Sequence, residues 1–452
     1  MVEPNVREIA HRLLMRIEKS GSFSHLLLTE AFDKENLKKV DEGLLTEIVY
    51  GTIERQITLD YFIAHFHHSK KKLDDWVKVL LRLSVYQLYF LEKIPSYAIV
   101  NEAVTIAKKK GHRGISSFVN GILRSMIREG FPNIEHIDHS IEYLSIKTSH
   151  PKWLIERWIN HYGYDKTKSM CETNVTVKPV SIRVNSLKTS VNEVIRQLEE
   201  MNFSWKTPKK LLKHGIIITE GNIFKTDLMK DGYVTVQDLS SMLVALAVDV
   251  KSTMKVLDTC SAPGGKATYI AELMNNEGEI YAHDLHKNKI NLVKNNAKRL
   301  GIKNLTISQQ DARKLQEVYD EQSFDRILVD APCSGLGVIR SKPEIKYEKT
   351  LTDIKNLQKV QLDILLHVAP LLNETGKLVY STCTVELLEN EKVVKQFLQQ
   401  QSTLKIDEQF LKEVKEWPLV DVNITEYGLQ IFPQSMNSDG FFITRFINYR
   451  GI

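Results

Sequence analysis

The sequence predicts an α/β protein: an open, mostly parallel sheet with helices on both faces, preceded by an all-helical region and a small mixed segment. Three observations carry this. From Gly232 onward, short apolar runs alternate with helical stretches, the pattern of parallel strands joined by helical crossovers. From residue 1 to about 130, apolar residues recur only at helical spacing. Between them, residues 152–232 mix the two periods.

Taken in order, Val6, Ile9, Leu13, Leu14 and Ile17 mark the apolar face of a first helix, and the run from Trp76 to Leu91 is apolar enough for a buried one. The next helix, from about Ala98 to Lys110, ends in three lysines and Gly111, a cationic last turn followed by a C-cap residue. Ser116 or Ser117 is positioned to cap another, which stops near Gly130. Ile134 to Pro151 lacks periodicity and reads as a connection. The middle segment offers a helix at Trp153–Tyr162, a strand at Ser181–Asn185, a helix at Val191–Met201 and a strand at Gly215–Thr219. Parallel strands are expected at Lys255–Asp258, Glu279–His283, Leu305–Ser308, Phe324–Val329 and Lys377–Tyr380. Helices are expected at Lys266–Met274, Lys287–Leu300 and Asp353–Leu372, and Gly428–Phe432 and Gly440–Phe446 read as an antiparallel hairpin on the sheet edge.

Composition excludes several classes. With 42% apolar and 26% charged residues the chain is globular rather than disordered. The four cysteines have no zinc-type spacing and are too few for a disulfide framework in 452 residues, so reduced thiols and a cytoplasmic home are expected. No stretch approaches the roughly 18 apolar residues of a membrane span. The net charge of +5 is concentrated: residues 151–230 carry 14 Lys and Arg against 8 Asp and Glu, a patch that would attract a polyanion. His65, His67 and His68 cluster near aromatic residues, but no carboxylate or cysteine pattern completes a metal site, and they read as a solvated helix end.

The chemistry-bearing motifs follow the expected strands. Asp258-Thr-Cys-Ser-Ala-Pro-Gly-Gly-Lys266 is a glycine turn leading into a helix, where free backbone N–H groups meet a ligand. It is not a P-loop, which needs glycine at Cys260 and Ser or Thr at Ala267, and it lacks the G-x-G-x-x-G of dinucleotide sites. Asp284 lies 19 positions after Gly265, the distance at which an acid reaches ribose hydroxyls, and Asp311 ends the third strand. Adenosine without a pyrophosphate, as in S-adenosylmethionine, fits this pattern, although either acid alone also suits a helix N-cap.

Asp330-Ala-Pro-Cys333 and Ser381-Thr-Cys383-Thr384 add two thiols at neighbouring strand ends, with Asp330 beside them. A thiol that adds to carbon 6 of a pyrimidine makes carbon 5 nucleophilic, and Lys266 is the candidate for the positive neighbour such a cysteine needs. The alternative is that both cysteines are buried small hydrophobes. Chemistry alone leaves open which sulfur attacks.

With these three motifs the chain resembles the Sun/Fmu family of RNA cytosine-C5 methyltransferases. The resemblance implies a NusB-like helical RNA-binding domain over residues 1–145, a linker and small α/β RNA-binding module over 146–232, and a Rossmann-like class I methyltransferase domain with a mixed seven-stranded sheet over 233–452. It implies Cys383 as nucleophile, Cys333 as the residue that helps release product, and Asp330 as a hydrogen-bond partner of the cytosine. Cofactor contacts would come from Cys260, Ser261, Ala262, Pro263, Gly264, Gly265, Lys266, Asp284, Asp311 and Asp330. RNA contacts would come from Arg183 and Asn185 in the module and from Arg340 and Lys346 in the Gly337–Lys346 loop; Gln237-Asp-Leu-Ser-Ser241 is a further family signature. The chain departs from the family pattern at Ala267, Ser341, Lys342, Tyr347 and Thr384, none of which removes a reacting atom. The expected protein is a cytoplasmic monomer without metal, acting on 16S ribosomal RNA, free or in an early small-subunit particle. Its rivals are a methyltransferase of transfer RNA, another RNA or DNA, and a non-catalytic NusB-like RNA-binding factor.

Overall fold

The computed structural model describes residues 5–20, 24–35, 37–68, 71–208 and 211–449, which form two compact units. One unit runs to Thr176 and also takes in Ile339–Glu348; the other holds Val177–Val338 and the chain from Lys349 onward.

The first unit is helical. Val6, Ile9, Leu13, Leu14 and Ile17 line the buried face of helix Val6–Ser20, and the apolar helix Asp75–Phe90 is buried along most of its length. Helix Arg113–Glu129 is capped by His112, whose Nδ1 accepts the Gly114 N–H at 3.1 Å, rather than by Ser116 or Ser117. The segment expected as a plain connection contains helix Ser140–Thr148. Its buried residues include polar Ser145 and Thr148 beside Leu144 and Ile146, so burial does not show as a regular apolar period. Among the described residues, no helix is long and apolar enough to cross a membrane.

The second unit contains two sheets. In the smaller, β1 (Val180–Val184), β2 (Ser204–Lys206), β3 (Gly215–Glu220) and β4 (Val234–Val236) pair antiparallel in the order β2-β3-β1-β4. Helix Val191–Glu200 closes its apolar face through Val194 and Leu198, and Ser190 caps that helix by accepting the Glu193 N–H.

The larger sheet has nine strands: β5 (Lys255–Asp258), β6 (Glu279–Asp284), β7 (Leu305–Gln309), β8 (Phe324–Asp330), β9 (Leu372–Thr382), β10 (Leu404–Ile406), β11 (Asn423–Thr425), β12 (Gly428–Ile431) and β13 (Phe441–Asn448). The order is β11-β12-β13-β9-β8-β5-β6-β7, with β10 also on β13. The five strands from β7 to β9 run parallel, and β13 enters antiparallel between β9 and β12. The expected hairpin therefore forms, but β13 is interior. The seven expected strands are joined by β10 and β11, each of three residues, too short to show a period.

Both faces of this sheet are covered. Along β8, Leu328 packs on one side while Ile327 and Val329 pack on the other; along β9, Val379 alternates likewise with Leu378 and Tyr380. Double burial is why these strands read as continuous apolar runs. Strand order reverses between β5 and β8, which opens a crevice at their carboxyl ends, and Asp258, Asp284 and Asp330 are the last residues of β5, β6 and β8.

Candidate active site

The turn from Thr259 to Gly264 links β5 to helix Gly265–Leu273. Gly264 has φ +101°, a left-handed conformation that side chains rarely adopt, and an added Cβ would lie 3.2 Å from Val293. The turn brings Asp258 to the crevice floor. Its carboxyl group is fully buried, Oδ2 has no partner, and burial together with the nearby Asp330 charge pushes its pKa up to about 8. Ser261 Oγ is likewise buried without a partner. Burial raises the Cys260 thiol to about 12, so that sulfur stays protonated. Asp284 is buried at the end of β6 and accepts the His286 N–H at 3.0 Å.

Across the crevice, Lys266 Nζ lies 2.7 Å from Asp330 Oδ2 and 5.1 Å from the centre of the Phe441 ring. Ser381 Oγ donates to the other oxygen of Asp330 at 2.8 Å. Burial would discharge Lys266, but the charge and hydrogen bond of Asp330, aided by Cys383, outweigh it and hold the ammonium above its usual pKa. Cys383 follows β9 directly, Cys333 lies three residues beyond β8, and their Sγ atoms are 3.3 Å apart. The contact with Cys383, then burial, pushes the Cys333 thiol well up. One sulfur is thus a protonated thiol beside another that faces a partly buried cation.

The backbone enforces this pairing. Gly337 donates its N–H to the Cys383 carbonyl at 3.0 Å, and a Cβ there would lie 2.1 Å from the Gly440 oxygen. Only glycine lets the chain after Cys333 run so close to the chain carrying Cys383.

Residues 245–447 match the 16S rRNA methyltransferase RsmB/F family, 4–128 the NusB family, and 150–223 the RsmF/B-like ferredoxin-like domain. A probable ribosomal RNA small subunit methyltransferase B of Bacillus subtilis (strain 168) is 42% identical over 98% of both chains. The chain belongs to the ribosomal RNA small subunit methyltransferase B family. Among solved structures, PH0851 is 28% identical with a TM-score of 0.81, covering 98% of both chains. A methyltransferase homolog protein from Pyrococcus horikoshii, also 28% identical, matches with a TM-score of 0.59 over 69% of this chain and 99% of its own.

In this methyltransferase B family member, three side chains expected at an RNA surface are buried instead. Arg183 is fully enclosed: it pairs with Glu272 at 2.7 Å, donates to the Gly265 carbonyl at 2.7 Å and to Thr268 at 3.1 Å, contacts Gln237 and stacks on Tyr269. It therefore anchors the helix that follows the glycine turn. Asn185 donates to the carbonyls of Gly232 and Leu300. Lys346 is enclosed in the helical unit, where Nζ donates to the Glu54 carbonyl at 2.8 Å. Neighbouring Tyr347 bonds the carbonyls of Glu54 and Ser149. Arg340 is half-buried and donates to Thr176.

Asp311 caps the short helix Ala312–Glu317 and pairs with Arg313 at 2.6 Å, so its carboxylate is engaged locally. Ala262 and Pro263 form the outer turn, where Asn296 donates to the Pro263 carbonyl at 2.9 Å. In the Gln237–Ser241 signature, Gln237 accepts from Arg183 and Asp238 caps helix Leu239–Ala247. Sequence reasoning missed Phe441 and Glu389, which reach the site from distant segments without a pattern of their own. Among the described residues, no cluster of ligating side chains forms a metal site.

Proposed function

We propose that this chain transfers a methyl group from S-adenosylmethionine to carbon 5 of a cytosine in 16S ribosomal RNA, with Cys383 as covalent nucleophile. The observation that carries this reading is the pair of sulfurs 3.3 Å apart beside the Lys266–Asp330 ion pair.

The crevice fits the cofactor. The orphaned Asp258 Oδ2 and Ser261 Oγ, the free N–H groups opening helix Gly265–Leu273 and the buried Asp284 suit a ligand with a cationic sulfonium and ammonium and a ribose. When bound, S-adenosylmethionine supplies an electrophilic methyl group. Cys383 Sγ bonds to carbon 6 of the cytosine, and the electron pair displaced from the ring double bond makes carbon 5 nucleophilic. Lys266 steadies the negative charge of the attacking sulfur, and Asp330 hydrogen-bonds the base. After methylation a solvent water takes the carbon 5 proton, the electrons of that C–H bond re-form the ring double bond, the S–C6 bond breaks, and its electrons return to Cys383. Cys333, a protonated thiol within reach, gives that sulfur a proton. The helical domain and the basic small module hold the RNA, so that an unpaired base can be splayed into the crevice.

The test is tritium release from carbon-5-labelled cytosine in protein-free 16S RNA, small-subunit particles, transfer RNA and DNA. Release confined to the ribosomal substrates is expected; none from them would overturn the reading. Cys333→Ala should accumulate a covalent RNA adduct and Cys383→Ala none, whereas the opposite result would exchange the two roles.

A further inference from the structure

The residue after each thiol points to a third element. Ser334 follows Cys333, Thr384 follows Cys383, and their hydroxyls lie 3.0 Å apart. Ser334 in turn bonds Glu389, which is fully buried. The Glu389 carboxylate accepts the Ser334 N–H at 2.8 Å and the Ser334 hydroxyl. Gln361, on helix Leu351–Val368, donates to the same carboxylate at 3.0 Å and to the carbonyl of Pro332, just before Cys333, at 2.9 Å. The Glu389 carbonyl is itself fixed to β9, where the Tyr380 hydroxyl donates to it.

A carboxylate buried among neutral donors is costly, and a neutral side chain of that size would fill the space more cheaply. What the carboxylate offers is acceptor capacity: its two oxygens gather the backbone and hydroxyl of the Cys333 loop and the amide from the neighbouring helix. Resting on the function proposed above, we infer that Glu389 is a positioning residue that locks the Cys333 loop in register with Cys383. It thereby keeps the second sulfur within reach of the first when the methylated base is to be released.

The test reads geometry and turnover separately in the full chain. In the free protein, diamide oxidises the two thiols to a Cys333–Cys383 disulfide and is itself reduced to the hydrazine, and mass spectrometry of the linked peptides gives the rate. Glu389→Ala is expected to slow this at least about tenfold, as the effective concentration of one thiol at the other falls. It should also accumulate covalent RNA adduct as Cys333→Ala does, while Glu389→Gln, which retains an acceptor, restores both to within about threefold. An oxidation rate within twofold of wild type in folded Glu389→Ala overturns the proposal. So does slowed turnover without adduct when Cys333→Ala does trap it. If Cys333→Ala itself traps none, the release role of Cys333 fails, and slowed thiol pairing still upholds Glu389 as the lock. Should Glu389→Ala not fold, Ser334→Ala removes one hydroxyl from the same bridge and is read by the same oxidation rate.

Discussion

Two lysines, one in each unit, are withdrawn from water: Lys266 beside the thiol pair and Lys346 inside the helical unit. Lys266 meets the Asp330 carboxylate at 2.7 Å and is held charged. Lys346 meets the Glu54 carbonyl oxygen and the face of the Tyr347 ring but no carboxylate among the described residues, and burial brings its pKa down to about 7, against the pull of the Glu54 charge. The same side chain thus serves as a fixed cation in one place and as a pin that is only partly charged near neutral pH in the other. What separates them is that a carboxylate lies within hydrogen-bonding distance of Lys266, whereas Lys346 is enclosed more deeply with a carbonyl oxygen in that place.

The contrast is most sensitive where the cation faces a sulfur. Cys383→Ala should abolish turnover, a loss on the order of 10⁴-fold or more in single-turnover methyl transfer. Lys266→Met leaves Asp330 and Asp258 without their cation and should slow the same step by about 10² to 10³-fold. A Lys266→Met variant within tenfold of wild type would mean that the charge on this lysine is not used. Arg183→Met probes a third buried cation, one with a purely structural carboxylate. Urea unfolding should show a loss of about 3–5 kcal/mol, because Glu272 is left buried and unpaired. The RNA affinity of the folded fraction should stay within about threefold, and a larger fall would return Arg183 to the RNA surface.

The smallest effect belongs to Lys346. Its folded pKa lies below its unfolded value, so between about pH 7 and 10 the unfolded chain binds one more proton than the folded chain and stability rises with pH. Relative to Lys346→Met, the wild-type chain should gain about 2 kcal/mol between pH 7 and pH 9, measured by denaturant unfolding at each pH. Parallel profiles for the two proteins would show that Lys346 stays charged when folded.

The central strands β8 and β9 were legible because burial on both faces leaves apolar runs, and the motif-bearing turns because cysteine, glycine and proline punctuate their ends. β9 begins five residues before its expected start, since Leu372 already pairs with Phe324 of β8, while Asn373-Glu-Thr-Gly376, which reads as a turn, falls in a break of register before Lys377 pairs with Arg326. Helix Ser140–Thr148 escaped notice because polar Ser145 and Thr148 are among its buried residues and blur the apolar period. The expectations for Arg183 and Lys346 failed for one physical reason. A cation in a module or loop that resembles an RNA-binding one looks available to RNA until its partner is known, and Glu272 and Glu54 lie 89 and 292 residues away in the chain. Glu389 was hidden for the same reason, since the groups it gathers come from three separate segments.

The membership of Ile339–Glu348 in the helical unit bears on how the chain matures during synthesis. Ser24 donates to Glu344 at 3.1 Å, and Lys346 and Tyr347 reach the carbonyl at the end of helix Lys39–Glu54. The amino-terminal helices leave the ribosome long before these partners do. Until residue 348 has emerged, the seat of Tyr347 has no occupant, and a fragment ending at Thr176 would carry that gap permanently. The first part of this protein to be made is therefore among the last to be finished.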